Sequence, residues 1–252
     1  DPSVEYAEPD ARMFPMVVPD DTLYSLQWHY GSAQIAPGGA NVEAAWDVTK
    51  GNAALSIAVL DTGYVDHGDL SPRIVGGYDL VSLDPAGAGP NSCDKPAADC
   101  TANDGGGRDA DAHDPGDWIT AAEDAGTTNG GWYGGCGASN SSWHGKHVGG
   151  TIGAMTNNSI GVAGVNWNSK IVPVRVLGKC GGNLSDIADG IRWAAGVDIG
   201  GGVPVNANPA KVINLSLGGD GACGATYQNA VNEVTGSPYF ATVVISAGND
   251  NK

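Results

Sequence analysis

The sequence predicts an α/β fold, doubly wound, with a mainly parallel sheet and helices on both faces. Three observations carry this. Short apolar runs recur along the 252 residues. Segments with helical spacing lie between the later runs. Residues able to do chemistry sit just past the runs' ends. Strands alternating with helices form βαβ units, whose crossovers give parallel sheets. In such sheets, sites lie beyond the carboxyl ends of the strands.

Leu55 to Leu60 reads as a buried-strand run. Ile171 to Leu177 is the next strand, and its Pro173 suits an edge or a strand start. Ile187, Ala188, Ile191, Ala194 and Ala195 recur at helical spacing, which predicts a helix over Ser185 to Ala195. Asn183 or Ser185 is available as its N-cap. Val212 to Leu217 reads as a strand. Tyr227, Ala230, Val231 and Val234 mark a second helix, and Ala241 to Ile245 a last strand. Residues 1–20 are Pro-rich and read as a surface arm. Between Asp84 and Ser142 the chain is rich in Gly, Asp, Asn and Ser. That predicts a long insertion, of a length normally functional, disordered, or held by disulfides or metals.

The formal net charge of −16 argues against nucleic-acid binding, because phosphate recognition needs basic patches. No run is apolar enough to span a membrane. The acids crowd between Asp94 and Asp124. That suits either a solvated acidic loop or cation binding. The chain begins at Asp1 rather than a start residue, which predicts a processed N-terminus.

Three motifs follow in order. Asp61-Thr62-Gly63 ends an apolar run. His144-Gly145-Lys146-His147-Val148-Gly149-Gly150 places a histidine on a Gly-rich segment. Ser246-Ala247-Gly248-Asn249 follows another apolar run. An acid, a base and an amide donor are three of the four parts of a serine hydrolase site. Asp61 and Asn249 both follow strands, which puts them on one sheet edge. His144-x-x-His147 lacks the glutamate of a zinc-protease helix, so a metal role for that pair has little support.

These residues resemble the subtilisin-like serine proteases (subtilases). That family's motifs read D-[ST]-G, H-G-T-H-V-A-G and A-G-N. Asn157 to Val165 is similar to the loop after the family's histidine helix, and Val212 to Gly219 to the strand lining its substrate cleft. The departures are Lys146 for Thr and Gly149 for Ala. The resemblance implies a subtilisin-like fold over residues 21–252, read as the N-terminal portion of one catalytic domain. It implies a secreted endopeptidase, made as a zymogen with a propeptide, that cuts protein or peptide substrates. Asp61 would orient His144, His144 would be the general base, and Asn249 would hold the oxyanion. Ser216, Leu217 and Gly218 would pair with an extended substrate. Ile245 to Gly248, including Ser246 and Ala247, would wall a pocket with room for a large apolar side chain.

The resemblance also implies about two calcium sites. One would use Asp21, Asp69, the Asn158 side chain and the carbonyls of Thr156, Ile160 and Val162. The other would lie among Asp104, Asp109 and Asp111, with Asp114 or Asp117 nearby. The secreted context favours disulfides among the five cysteines. Cys93 and Cys100 are close enough to close a small loop. Cys136 lies shortly before the His motif and Cys180 just after the Ile171 run. Cys223 is then left over and points to a partner beyond Lys252. The family's G-T-S-M-A nucleophile segment occurs nowhere here. The expectation is therefore a catalytic Ser on a C-terminal segment or second chain. The rival is a pseudoprotease that binds peptides in the same cleft without cutting them.

Overall fold

The computed structural model describes residues 18–84, 100–219 and 223–249. Five parallel strands form one sheet: β1 (Ser56–Asp61), β2 (Tyr78–Asp79), β3 (Lys170–Arg175), β4 (Val212–Leu215) and β5 (Thr242–Ile245), in the order β2-β3-β1-β4-β5. Every residue of β1 is buried, the apolar Ile57 to Leu60 together with Ser56 and Asp61 at its ends. The helices are α1 (Val42–Val48), α2 (Ala121–Asp124), α3 (His144–Gly153), α4 (Leu184–Ala195) and α5 (Ala225–Thr235).

Alternation along the strands divides the core. Ala58 and Leu60 of β1, with Val172, Val174, Ile213 and Leu215, face Ile187, Ile191 and Ala194 of α4 and Ala230 and Val234 of α5. Ile57, Val59 and Ile171 point the other way and pack on Val148 and Ile152 of α3. Helices therefore cover both faces, and the sheet is doubly wound. Burying each such Leu or Ile contributes about 1.5–3 kcal/mol, so the strands are held from both sides.

Several boundaries differ from expectation. The fourth strand stops at Leu215 rather than Leu217, which leaves Ser216 to Gly218 outside the sheet. Pro173 lies on an interior strand, but β2 pairs with β3 only from Val174 onward, so the missing N–H breaks no ladder there. Asn183 is the N-cap residue of α4 without a side-chain capping bond; its amide leans toward Asp186 instead.

The described part of the insertion, residues 100–142, is tied down at several points. Cys136 and Cys180 are bonded, with Cα atoms 5.5 Å apart. Cys100 is disulfide-bonded, while Cys93 and residues 1–17 of the expected arm lie outside the described residues. Arg108 reaches Asp186 at 2.7 Å and Asp189 at 2.8 Å on α4. Arg175, at the end of β3, is buried between Asp79 and Asp104.

Lys179 is the tightest tie. Its side chain is 1% exposed, its ammonium meets Glu123 at 2.9 Å, and it lies under 5 Å from the rings of Trp118 and Tyr133. Glu123 also closes the capping box of α2 with Thr120. Burial alone would raise the Glu123 carboxyl, but hydrogen bonds from Thr120 and Lys179 outweigh it and pull it down to about 2. Its folded value lies below the ordinary 4.5. The stability it contributes is therefore present above about pH 4.5 and lost as pH falls through 2. Lys179→Met would remove an ammonium from beside the buried Glu123 carboxylate. The expected cost is about 3–5 kcal/mol, measured by urea unfolding near neutral pH. An unchanged midpoint would refute that role for the lysine.

Candidate active site

β1 ends at Asp61, and the next two residues turn the chain under α3. Gly63 has φ +106°, a conformation that favours glycine. α3 starts against this turn. A Cβ on Gly145 would lie 2.1 Å from the Gly63 carbonyl oxygen, so only glycine lets the helix start come this close. That close approach brings His144, the first residue of α3, onto Asp61.

His144 Nδ1 lies 2.8 Å from Asp61 Oδ1 and 2.9 Å from Oδ2. The carboxylate is fully buried, whereas the imidazole is 46% exposed. Asp61 Oδ1 also accepts from the Thr62 N–H at 2.8 Å. Burial pushes the Asp61 carboxyl above its ordinary value. The hydrogen bonds from His144 and Thr62 pull it down without reversing the shift. The ring's second nitrogen, Nε2, is left for the solvent side. A buried acid holding one imidazole nitrogen so that the other can accept a proton is the arrangement of a general base.

His144 lines a cleft of about 600 Å³ with Thr62, Leu177, Ser216, Leu217 and Gly218. The expected substrate-pairing segment therefore stands in the same cleft as His144. A neighbouring cleft of about 550 Å³ lies between Leu217-Gly218 and Ile245-Ser246, with Tyr227 and Val231 of α5 also lining it. Ser246 donates from Oγ to the Leu217 carbonyl at 3.1 Å and from its N–H to the Leu215 carbonyl at 3.0 Å. Ala247, Gly248 and Asn249 are exposed beyond β5 and line neither cleft. Asn249 makes no hydrogen bond to Asp61 or His144. Among the described residues, no serine hydroxyl bonds His144 Nε2.

Of the first expected calcium set, Asp21 and Asp69 are bridged by the Asn158 main chain and side chain. Asp21 and Asp69 are both buried and both reach the loop after α3. Asp21 accepts from the Asn157 N–H at 3.0 Å, and Asp69 from the Asn158 amide and the Val162 N–H at 2.9 Å each. Among the described residues neither carboxylate has a side-chain cation in ion-pair range. In the second set, Asp104, Asp109 and Asp111 line one cleft of about 490 Å³ with Asn103 and His113, and each also has a local partner. Asp104 pairs with Arg175 at 2.6 Å and Asp111 with His113, while Asp109 accepts from the Asp111 N–H at 2.7 Å. Asp114 bonds Thr62 and Asp117 bonds Ser142. Among the described residues, no three His, Cys, Asp or Glu side chains gather around one point.

Sequence reasoning missed what Asp114 and Asp117 do. The available signal was Asp114-Pro115-Gly116-Asp117, a turn whose carboxylates bond nearby donors. It also missed Lys179, because nothing in a lone lysine indicates burial.

Residues 52–252 match the Subtilase family. The chain belongs to that family. It is 46% identical to an extracellular protease of Xanthomonas campestris over 99% of its own length and 38% of that protein's. It is 40% identical to an extracellular basic protease of Dichelobacter nodosus, covering 37% of that protein. The chain thus spans well under half the length of these relatives. A solved protease structure from Pseudoalteromonas arctica PAMC 21717 is 51% identical, with a TM-score of 0.77, over 92% of this chain and 60% of that one. Among the described residues, no helix is long and apolar enough to cross a membrane.

Proposed function

We propose that the protein containing this chain is a secreted, calcium-stabilised serine endopeptidase. The observation that carries this is the pairing of buried Asp61 with half-exposed His144 in a cleft walled by Ser216 to Gly218. His144 Nε2 takes the proton of a serine hydroxyl as it attacks a peptide carbonyl, then returns it to the leaving amine. Asp61 keeps the proton on Nδ1 and stabilises the imidazolium. Ser216 to Gly218 pair with the extended substrate as an added strand. The cleft beside Ser246 takes the side chain before the cut. Asn249 donates to the oxyanion once the segments around it are in place, a role worth about 100- to 1,000-fold in rate.

In this reading residues 21–252 are the N-terminal portion of one catalytic domain, and the nucleophile comes from outside residues 1–252. Two features of the fold support this. Edge strand β5 leaves Val244 and Ile245 about half exposed, at 47% and 53%, an apolar surface a neighbouring segment would cover. Cys223 is a free, exposed thiol lining the same cleft as Ser246. The test is a serine-directed covalent inhibitor applied to the active protein, followed by peptide mapping. The label is expected on a serine outside residues 1–252. A label on any serine within them overturns the proposal.

Asp21, Asp69, Asn158 and the carbonyls of Thr156, Ile160 and Val162 are the residues that would hold calcium. A hard cation takes such oxygen ligands, and it would supply the positive charge the two buried carboxylates lack. Excess chelator is therefore expected to lower the melting temperature. A cation binding only the native state adds about 2.7 kcal/mol at 100 times its dissociation constant. No shift on thermal unfolding with and without chelator would remove calcium from the proposal.

A further inference from the structure

Two carboxylates of the insertion reach the start of α3 by separate routes. Asp114, 7% exposed, accepts from Thr62 Oγ1 at 2.6 Å, and Thr62 Oγ1 in turn accepts from the Gly145 N–H at 3.0 Å. Asp117 accepts from the Ser142 N–H at 2.6 Å and from Ser142 Oγ at 2.7 Å. Ser142 Oγ then accepts from the His144 N–H at 3.2 Å. The first N–H groups of a helix have no partner within it and must find one elsewhere. Here the first two, on His144 and Gly145, each end on a hydroxyl.

A hydroxyl has one proton to donate and lone pairs to accept with. A carboxylate that takes the proton fixes which way the lone pairs face. With Asp114 and Asp117 in place, the hydroxyls of Thr62 and Ser142 can only accept from the helix. One route anchors α3 to Thr62, the neighbour of Asp61. The other anchors the His144 backbone from the far side. Together they hold the helix start against sliding and rotating, the two motions that would take the imidazole off Asp61. Among the described residues neither carboxylate has a side-chain cation in ion-pair range.

We infer that Asp114 and Asp117 are positioning residues for His144, and that the insertion orients the catalytic base. This rests on the reading of His144 as the base. A misplacement of about 1 Å in a reacting group costs about 100-fold. In the full protein, Asp114→Ala/Asp117→Ala is expected to lower kcat about 10- to 100-fold, with KM within about twofold. Thr62→Val should lose activity in the same way, and Thr62→Ser should recover most of it. A second readout needs no turnover: the low-field proton NMR signal of His144 Nδ1–H, which should shift or broaden in the double variant and in Ser142→Ala. If the double variant does not fold, Asp117→Ala and Ser142→Ala carry the test, since Asp117 is only partly buried and Ser142 is exposed. Folded variants with wild-type kcat, KM and low-field signal overturn the inference. So does a loss confined to KM. If the wild type cleaves no peptide, the proposed function fails, and the NMR comparison still decides the positioning role.

Discussion

His144→Ala is expected to lower turnover on a peptide substrate by about a million-fold in the protein that contains this chain and its nucleophile. The size follows from how a triad works. Without the base, the serine keeps its proton and the acid's orienting role has no object. Loss of the base alone then costs about as much as loss of the whole triad, as found for subtilisin. The fold should survive, because the imidazole is half exposed and, among the described residues, is hydrogen-bonded to Asp61 alone. The check is single-turnover kinetics beside circular dichroism and a melting curve. Turnover near wild type in a folded variant would refute His144 as the base. Unfolding would instead make the Asp61–His144 pair a structural ion pair.

Much of this was legible in the sequence because it is local. The β1 run is apolar from Ile57 to Leu60, and the strand is buried on both faces. The helical spacing from Ile187 to Ala195 appears as α4, one residue longer at its start. Asp61 and His144 are 83 residues apart, yet the motif order pairs them correctly. What was not legible depends on where the chain returns in space. The partners of the insertion's acids were not legible, since composition cannot tell a free carboxylate from one bound to Arg175 or a Ser142 amide. Lys179 gives no apolar period to read. Strand β2 has only two residues and exists because Val174 and Arg175 offer it an edge. The fourth strand stops early because β4 and β5 run out of register partners at Leu215 and Ile245. That early stop frees the backbone of Ser216 to Gly218.

The insertion and the sheet also explain one another. Four of its anchors, Cys180, Lys179, Arg175 and Asp186, lie at the end of β3, in the segment leading into α4, or in the first turn of α4. That is the carboxyl edge on which the base sits. A long irregular segment pays heavily in backbone entropy. Buried ion pairs and a disulfide at this edge offset the cost and fix the segment beside the cleft. An insertion folded away from the site would need none of these partners.

Asp61→Asn is expected to lower turnover about ten-thousand-fold at neutral pH while leaving the backbone in place, the size known for the equivalent change in a triad of another fold. The side chains are the same shape, so packing around the buried position changes little. The proton inventory changes. Asp61 accepts through both oxygens, from the Thr62 N–H at 2.8 Å and from His144 Nδ1 at 2.8 and 2.9 Å. Asparagine has one oxygen, and the Thr62 N–H requires it. The amide NH₂ then faces Nδ1 and donates to it. The imidazole must carry its proton on Nε2, the nitrogen that has to accept from the serine. The base is present but in the wrong tautomer, and no carboxylate remains to stabilise the imidazolium. Asp61→Ala should cost a similar factor but should also destabilise the protein, because it opens a cavity and leaves the Thr62 N–H unpaired in the interior. The measurement is kcat/KM against pH for both variants, with the His144 tautomer read from imidazole nitrogen shifts. An Asn variant that keeps the proton on Nδ1 and loses less than tenfold in rate would show that Asp61 does not set the tautomer of the base.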